Sequence, residues 1–418
     1  MENNINRMVD RGSLSVGVFT PNKVLPVDGA RILIRQGGQA EIVEELITNS
    51  SGQTDTVLLK APPVDYSLLP ESESMPYAEY DLEIEAEGFE PCTISGAQVL
   101  ADAAALQSVE LVPRKELNGQ QQEIIVPPNT LWGTFPPKIP EDEVKPLPPS
   151  KGFVVLPEPV IPEFMIVHDG RPNDATAKNY WVPFKEYIKN VASCEIYATW
   201  PEATLEANIL AILSFTLNRV YTEWYRGKGY DFTITSSTAY DHKFSYGRNI
   251  FSEISAVVDR IFTSFITRPN IRQPLFTQYC DGKQVQCPNW MTQWGSKTLG
   301  DQGYASMDIL KHFYGYDVFL MQAGSVEGVP SSFPGQSLQA GSTGASVRVI
   351  QEQLNRIADN YPAIPKVAVD GIYGEQTVRA VTQFQQIFKL NPTGVVDRGT
   401  WYSISNIYVA VTRMAELG

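Results

Sequence analysis

The reactive side chains with the most suggestive spacing are two cysteines, Cys280 and Cys287, with six residues between them. Such a pair can close a small disulfide loop, remain as free thiols, or join His242 as ligands of a zinc ion. Zinc sites usually need four ligands with closely spaced cysteines, and the chain contains only 3 histidines. We therefore expect a disulfide loop or free thiols, with no bound metal and no cofactor. Cys92 is expected to be buried packing.

A carboxyl group is the second candidate for chemistry. The segment PFKEYIKNVASCEIYATWPEATLEANILAILSF, residues 183–215, resembles the catalytic helix pair of the sporulation stage II D type (SpoIID-like) lytic transglycosylases. The ungapped match places that family's catalytic glutamate on Glu195. Cys194 and Tyr197 depart from the family pattern, whereas four other positions coincide: Tyr187, Val191, Leu205 and Ala207. The resemblance implies a glycan-cleaving enzyme with Glu195 as its catalytic residue.

One carboxyl group is enough for this reaction, because the 6-hydroxyl of muramic acid acts as an internal nucleophile. Protonated Glu195 would donate to the glycosidic oxygen and then, as a carboxylate, accept the 6-hydroxyl proton while a 1,6-anhydro ring closes. Ile196 and Trp200 supply an apolar setting that disfavours the charged form. Two alternatives stay open. One is a non-catalytic scaffold anchored on peptidoglycan, and the other is a muramidase-type hydrolase with a second carboxylate from Asp231, Asp241 or Asp281.

Later segments extend the same resemblance. YDFTITSSTAYDHKF and PLFTQYCDGK match the two strands of the family's substrate cleft, and WGSKTLGDQGYASMDILKHFYG matches its closing helix. Aromatic faces and amides suit sugar rings, which offer apolar patches ringed by hydroxyls. We therefore expect seven residues to contact substrate: Tyr240, Asp241, His242, Tyr279, Asp281, Gln293 and Trp294.

Near the end of the chain, LQAGSTGASVRVIQEQLN and a later DGxxGxxTxxAVxxFQ pattern resemble the peptidoglycan-binding module found beside many cell-wall hydrolases. Most of the apolar positions recur at helical spacing and would be core in any small bundle. Four residues are the candidates for a surface groove that binds peptidoglycan: Asp370, Tyr373, Gly374 and Gln385.

The surrounding sequence predicts four segments and a multidomain α+β fold. Residues 1–115 alternate apolar and polar residues in short runs, which predicts an N-terminal β-sandwich that resembles the transthyretin-like fold. A proline-rich linker or propeptide is expected over 116–162, a central α+β catalytic domain over 163–332, and a three-helix peptidoglycan-binding bundle over 333–418. In the central domain we expect strands at YDFTITSST and QPLFTQYC and a helix at NIFSEISAVVDRIFTSFI.

The charge pattern narrows the class of partner. The formal net charge is −14, and Lys and Arg form no basic stripe, which argues against nucleic acid or an anionic membrane as the main partner. The first thirteen residues contain no apolar h-region, and no stretch holds eighteen uninterrupted apolar residues. We therefore expect no Sec-type signal peptide and no membrane anchor.

The order of segments is similar to that of the SleC-type spore cortex-lytic enzymes. In that family the N-terminal portion is removed by a subtilisin-like Csp protease at germination, and the substrate is cortex peptidoglycan. The resemblance implies a proenzyme located in the cortex and coat region of the spore, outside the forespore membrane. The stretch PPSKGFVVLPEPVIPEF, residues 148–164, is where the activating cut is expected, because proteases accept extended, proline-flanked backbone.

Overall fold

The computed structural model describes residues 10–114, 121–146 and 158–417. Its N-terminal part consists of two packed β-sheets and one short helix, α1 (Asp65–Leu68). The first sheet has five strands, in the order β3 (Ile42–Ile47), β2 (Arg31–Gln36), β5 (Tyr77–Glu85), β6 (Cys92–Leu100) and β8 (Gln122–Ile125). The second has β4 (Val57–Ala61), β1 (Asp10–Phe19) and β7 (Ala104–Glu110), with β13 (Ile250–Phe251) at its edge.

The alternation in the sequence explains these sheets. Leu14, Val16 and Val18 of β1 are fully buried, because every second side chain of a strand points to the same face. The runs predicted as strands lie in β1, β2, β4, β5 and β7, whereas β3 and β6 were not predicted. Most of the β3 side chains are exposed, so this edge strand lacks the buried alternation that would identify it.

The central part surrounds one buried helix. Its helices are α2 (Phe184–Glu195), α3 (Glu202–Tyr221), α4 (Ser252–Ile261), α5 (Gln293–Asp301) and α6 (Ser306–Tyr314). Sixteen of the 20 residues of α3 are buried, as expected of a helix that other elements cover on every side. The short strands are β9 (Val160–Ile161), β10 (Phe164–His168), β11 (Asn179–Pro183), β12 (Ile234–Thr235), β14 (Ser264–Thr267), β15 (Tyr279–Cys280), β16 (Met291–Thr292), β17 (Phe319–Gln322) and β18 (Ser325–Val326).

Three predictions about the central part need correction. The predicted helix at residues 249–266 is α4 alone, because Ile250 and Phe251 join β13 and residues 264–267 form β14, which pairs with β17. β-branched and aromatic residues after Thr263 favour this strand. The two predicted cleft strands are only the two-residue β12 and β15. The rest of the second predicted strand, QPLFTQYC, is held by side-chain hydrogen bonds. In one of them the Thr277 hydroxyl donates to the Ala211 carbonyl at 2.7 Å.

Three helices form the C-terminal bundle, as predicted: α7 (Ala345–Ala358), α8 (Glu375–Ile387) and α9 (Arg398–Leu417). The bundle is docked on the central part. Nζ of the buried Lys185 in α2 donates to Asp259 of α4 at 2.9 Å and to Ser403 of α9 at 2.6 Å. In the part of the chain that the structure describes, no helix is both long and apolar enough to cross a bilayer.

The segment predicted as a linker is not a free spacer where it is described. β8 pairs with β6, and residues 127–146, which we name the strap, lie along the central part. The Thr130 N–H donates to the Cys194 carbonyl at 2.9 Å, and the Ile139 N–H donates to the Ala239 carbonyl at 2.7 Å. Proline prevents helix formation but leaves carbonyls and neighbouring N–H groups available, so an extended chain can still bind tightly.

Sheet pairing also joins the N-terminal part to the central part. β13 extends the second sheet by pairing with β7, and beside it Asn249 and Gln98 exchange two hydrogen bonds of 2.9 Å. Farther away, Nε1 of the buried Trp200 donates to the Ser67 carbonyl at 2.9 Å. The loop at Lys23 accepts a hydrogen bond from the Tyr361 hydroxyl of the C-terminal bundle.

These contacts predict that a chain cut between residues 147 and 157 remains one non-covalent complex. A protease site placed there should yield two fragments that coelute in size-exclusion chromatography. Asn249→Ala removes both hydrogen bonds to Gln98 and should make the cut complex dissociate on dilution. The exposed Asn391→Ala is the matched control, and separation of the unsubstituted fragments would contradict the prediction.

Candidate active site

Glu195 is the last residue of α2 and is only 2% exposed. Its Oε1 accepts a hydrogen bond from the Lys243 backbone N–H at 2.7 Å, and its Oε2 accepts one from the Tyr279 hydroxyl. The Gln293 amide donates to the Glu195 carbonyl at 2.9 Å, which satisfies an acceptor that the helix end leaves open. Three separate segments of the chain therefore fix Glu195.

The surroundings of Glu195 favour its protonated form. Burial raises the pKa of the carboxyl group above its ordinary value, although the Lys138 ammonium and the Tyr279 hydroxyl act in the opposite direction. Lys138 belongs to the strap, and its Nζ donates to the Asp241 carbonyl and lies 4.8 Å from the centre of the Tyr279 ring. A carboxyl group that keeps its proton to higher pH is suited to act as a general acid.

A chain of buried hydrogen bonds continues behind the carboxyl group. His242 Nδ1 lies 2.7 Å from the Tyr279 hydroxyl oxygen, and its Nε2 lies 3.3 Å from Thr216 Oγ1. Burial lowers the pKa of His242 well below its ordinary value, so the imidazole is neutral. Burial likewise raises the pKa of Tyr279 well above its ordinary value, so its hydroxyl keeps its hydrogen.

A buried ion cluster holds the loop that carries His242. Arg219, 1% exposed, donates through Nε to Asp241 Oδ1 at 2.8 Å and through Nη2 to Glu141 Oε1 of the strap at 2.7 Å. The second Asp241 oxygen accepts from the Tyr225 hydroxyl at 2.6 Å and from Thr235 Oγ1 at 2.7 Å. Both Asp241 oxygens are therefore engaged within the protein.

The cleft beside Glu195 is lined by three of the seven residues predicted to contact substrate: Tyr279, Asp281 and Gln293. The other four predicted residues do not line it. Asp241 and His242 are fully buried, and the Tyr240 carbonyl accepts from Arg219 at 3.0 Å. Trp294 packs on Trp200, with ring centroids 5.0 Å apart. Sequence reasoning thus placed the right segments near Glu195 without revealing which side chains face the cleft.

A disulfide bond joins Cys280 and Cys287 and closes the loop at one side of the cleft. Within this loop, Asp281 Oδ1 accepts from the Val285 N–H at 2.8 Å, and its Oδ2 accepts from the Gln284 N–H at 2.5 Å. No group of three or more His, Cys, Asp or Glu residues suited to a metal ion occurs in the described ranges. Of the alternatives that the spacing left open, the structure has the disulfide, and Cys92 is buried and free, as expected.

The strap forms the opposite wall of the cleft. Its residues Phe135, Pro136, Pro137 and Lys138 line the same cavity as Glu195, which measures only about 60 Å³. Pockets for drug-sized ligands measure roughly 300–1,000 Å³. A disaccharide therefore has no room beside Glu195 while the strap is in place. Sequence reasoning missed these residues, because a proline-rich composition indicates extended backbone without indicating what that backbone lies against.

Two buried glutamine side chains organise the C-terminal bundle. Gln351 Oε1 accepts from the Gly371 N–H at 2.8 Å, and its Nε2 donates to the Ile372 carbonyl at 3.0 Å. Gln385 repeats this arrangement one helix later, accepting from the Gly394 N–H at 2.8 Å and donating to the Val395 carbonyl at 2.9 Å. Each glutamine therefore fixes the turn that leads into the next helix.

The four predicted groove residues separate into two groups. Asp370 and Gly374 are exposed. Tyr373 and Gln385 are each only 1% exposed, and the Tyr373 hydroxyl donates to the Gly394 carbonyl at 2.8 Å. The latter two face the core and shape the bundle from inside, so a ligand on the surface would meet Asp370 and Gly374 first.

Comparison with known proteins adds one sequence match. Residues 343–404 match the family described as "Putative peptidoglycan binding domain". No curated protein matches the chain. Among solved structures, the SleB N-terminal domain is 27% identical, with 18% of this chain and 99% of that chain covered and a TM-score of 0.16. The 5-hydroxyisourate hydrolase of Klebsiella pneumoniae is 16% identical, with 23% and 89% covered and a TM-score of 0.16. These low TM-scores carry no functional argument.

The chain is thus a multidomain α+β protein whose C-terminal helical region matches a peptidoglycan-binding domain. This match supports peptidoglycan as a partner and an association with the cell wall.

The glutamine arrangement predicts a stability effect. Gln385→Ala leaves the buried Gly394 N–H unpaired, at a cost of about 1–3 kcal/mol, and also removes the bond to the half-buried Val395 carbonyl. Hydrogen exchange followed by mass spectrometry should show faster exchange across residues 343–404. Gln376→Ala, an exposed position on the same helix, is the matched control. Equal exchange in both variants would show that Gln385 does not stabilise the bundle.

Proposed function

We propose that this protein cleaves the glycan strands of spore cortex peptidoglycan as a lytic transglycosylase and that it is made as a zymogen. The observation that supports the proposal most is Glu195, a buried carboxyl group of raised pKa that borders a cleft. It occurs in a chain whose residues 343–404 match a peptidoglycan-binding domain.

In the proposed reaction, Glu195 first donates its proton to the oxygen of the bond between muramic acid and the next sugar. The resulting carboxylate then accepts the proton of the muramic 6-hydroxyl as that oxygen attacks C1. The 1,6-anhydro ring closes without added water. The Lys243 N–H and the Tyr279 hydroxyl hold the carboxylate between these two steps.

The positions of the aspartates support this reaction over hydrolysis, because Asp231 and Asp241 do not line the cleft beside Glu195. A hydrolase of this type needs a second carboxylate to activate water or to act as nucleophile. Both Asp281 oxygens accept backbone N–H groups of the disulfide loop, and both Asp241 oxygens are engaged by Arg219 and its neighbours. Asp231 is exposed and accepts from the Asn179 amide at 3.2 Å.

The strap supports the zymogen proposal. It fills the space that a glycan strand would need. In addition, the Lys138 ammonium lowers the pKa of the Glu195 carboxyl group, although burial raises this pKa by more. In the proposed activation, a subtilisin-like Csp protease cuts after the strap, within residues 148–164. Residues 148–157 of that stretch lie outside the described residues. The cut frees one end of the strap, which can then leave the cleft while the N-terminal part stays docked.

The first test is Glu195→Gln, which keeps the shape of the side chain but cannot donate a proton to the glycosidic oxygen. We expect anhydromuramic ends in the digest of purified cortex by cut protein, and their loss in this variant. The exposed Glu202→Gln on α3 should stay active.

Mass spectrometry of the products separates the alternatives. Products heavier by one water would indicate a muramidase-type hydrolase. Binding to cortex without release of any sugar would indicate a non-catalytic scaffold, and a fully active Glu195→Gln variant would refute the role of Glu195.

The second test concerns the strap in the uncut chain. Replacing Pro136, Pro137 and Lys138 with Gly, Gly and Ala should loosen the strap at the cleft and remove the ammonium near Glu195. We expect the uncut wild-type chain to release almost no sugar from cortex and the triple variant to release it measurably. Asp142→Ala, at an exposed strap position, is the control. Equal activity of the uncut and cut wild-type proteins would show that the strap does not inhibit.

A further inference from the structure

The strap places a positive charge inside the cleft. Lys138 Nζ donates to the Asp241 carbonyl. It also lies 4.8 Å from the centre of the Tyr279 ring and 5.7 Å from the centre of the Phe215 ring. The face of an aromatic ring carries partial negative charge and attracts a cation within about 6 Å. The Asp241 carbonyl and these two rings therefore form a pocket for a cation, which we name the ammonium pocket.

The carboxyl group of Glu195 acts on the same pocket through its charge. Burial has the largest effect on both partners, since it raises the pKa of Glu195 and lowers the pKa of Lys138. Against burial, Lys138 is the strongest influence that lowers the Glu195 pKa, and Glu195 is the strongest influence that raises the Lys138 pKa. An ionised Glu195 and a cation in the ammonium pocket therefore stabilise each other.

The walls of the ammonium pocket are held by residues outside the strap. The side chain of Asp241 accepts a hydrogen bond from Arg219 Nε at 2.8 Å, which fixes the loop that supplies the carbonyl. The Tyr279 hydroxyl donates to Glu195, and Phe215 is fully buried within α3. When a cut lets the strap leave, the pocket therefore keeps its walls and loses its occupant.

A second lysine of the strap provides a contrast. Lys145 Nζ pairs with Glu141, another strap residue, at 2.9 Å. The charge of Lys145 is thus balanced within the strap itself, whereas Lys138 acts on Glu195 in the central part. Of these two lysines, Lys138 is the one whose charge is directed at the candidate catalytic group.

The proposed reaction creates a positive charge beside Glu195. As the Glu195 proton moves to the glycosidic oxygen, the bond from that oxygen to C1 breaks, and its electron pair stays with the oxygen. The positive charge left on the sugar is shared by C1 and the ring oxygen, as in the oxocarbenium-like transition state of glycoside cleavage. This charge disappears when the 6-hydroxyl oxygen bonds to C1 and its proton passes to Glu195. Enzymes stabilise such a state with groups arranged in advance where the charge develops.

We propose that the ammonium pocket is the subsite for this developing charge and that Lys138 occupies it in the uncut chain as a mimic of the charged sugar ring. The inference deepens the proposed function and rests on it. It assigns to the cut chain a binding site for a cationic sugar ring. The strap then blocks the cleft by charge as well as by volume, because its ammonium already engages the groups that would stabilise the transition state.

The first arm of the test uses the uncut chain. Lys138→Ala removes three methylene groups and the ammonium, which leaves a cavity with the length of n-propylamine. This amine is protonated at neutral pH, and ligand-observed NMR should show that it binds about tenfold or more tightly than the neutral 1-propanol. Lys138→Met fills the cavity without a charge. It is the matched control and should bind neither ligand.

The second arm uses protein that has been cut after the strap. One ligand is the iminosugar analogue of N-acetylglucosamine, whose ring nitrogen is protonated. The other is the matching anhydro sugar, with the same ring and a neutral oxygen in place of the nitrogen. Calorimetry should show that cut protein binds the iminosugar about tenfold or more tightly. The uncut wild-type chain should bind neither, because Lys138 and the rest of the strap fill the cleft.

Two variants of the cut protein place the cation. Tyr279→Phe keeps the aromatic face and should keep the preference for the iminosugar, whereas Tyr279→Leu removes the face and should reduce the preference. Equal binding of the charged and neutral ligands in either arm overturns the proposal, as does a preference that Tyr279→Leu leaves unchanged. If Tyr279→Leu does not fold, the first arm still decides, because Lys138→Ala changes only a residue of the strap.

Neither arm needs turnover, so this inference and the proposed function fail in distinguishable ways. Cut protein that releases no anhydromuramic product refutes the function and with it the link to the transition state, while the ligand pairs still decide whether the pocket selects a cation. Cut protein that releases this product but binds the charged and neutral sugars equally keeps its function. That result refutes only the role of the ammonium pocket.

Discussion

The arrangement of the site depends on the neutralisation of Arg219, whose side chain is buried. A buried guanidinium without partners is strongly destabilising, so carboxylates must reach it. Asp241 does so from the loop that also carries His242 and the Lys243 N–H, and Glu141 does so from the strap. One cation therefore fixes the loop behind Glu195 and draws the strap across the front of the cleft. The geometry of the site and its obstruction have the same physical origin.

Much of the fold and part of the candidate site could be predicted from the sequence. The features that could not be predicted have a physical reason in common. The helical spacing of apolar residues predicted α3, α7 and α8, because that spacing records burial along a single element. The resemblance to the SpoIID-like proteins led to Glu195 and its neighbouring segments. It could not reveal that Asp241 and His242 do not line the cleft, since their orientation depends on Arg219 and Thr216, which belong to a different element, 22 and 26 residues earlier. The path of the strap could not be predicted for the same reason.

The C-terminal bundle is more than a tethered anchor. Lys185 is buried between Asp259 and α9, and the Tyr361 hydroxyl reaches the N-terminal part at Lys23. A flexible tether would raise the local concentration of glycan at the cleft by its length alone. In the proposed function, a docked bundle also sets the direction from which an insoluble glycan strand approaches Glu195. The exposed Asp370 and Gly374 are then at a fixed orientation to the cleft.

The pairing of β13 with β7 affects whether the N-terminal part, once separated, can bind the central part again. While the molecule is whole, two residues of the central part cover the edge of an N-terminal sheet. A sheet edge that loses its covering strand exposes unpaired N–H and carbonyl groups and tends to pair with other chains. An N-terminal fragment that dissociated would therefore associate with other copies of itself. Little of it would remain free to bind the central part again. Loss of this fragment would therefore be irreversible.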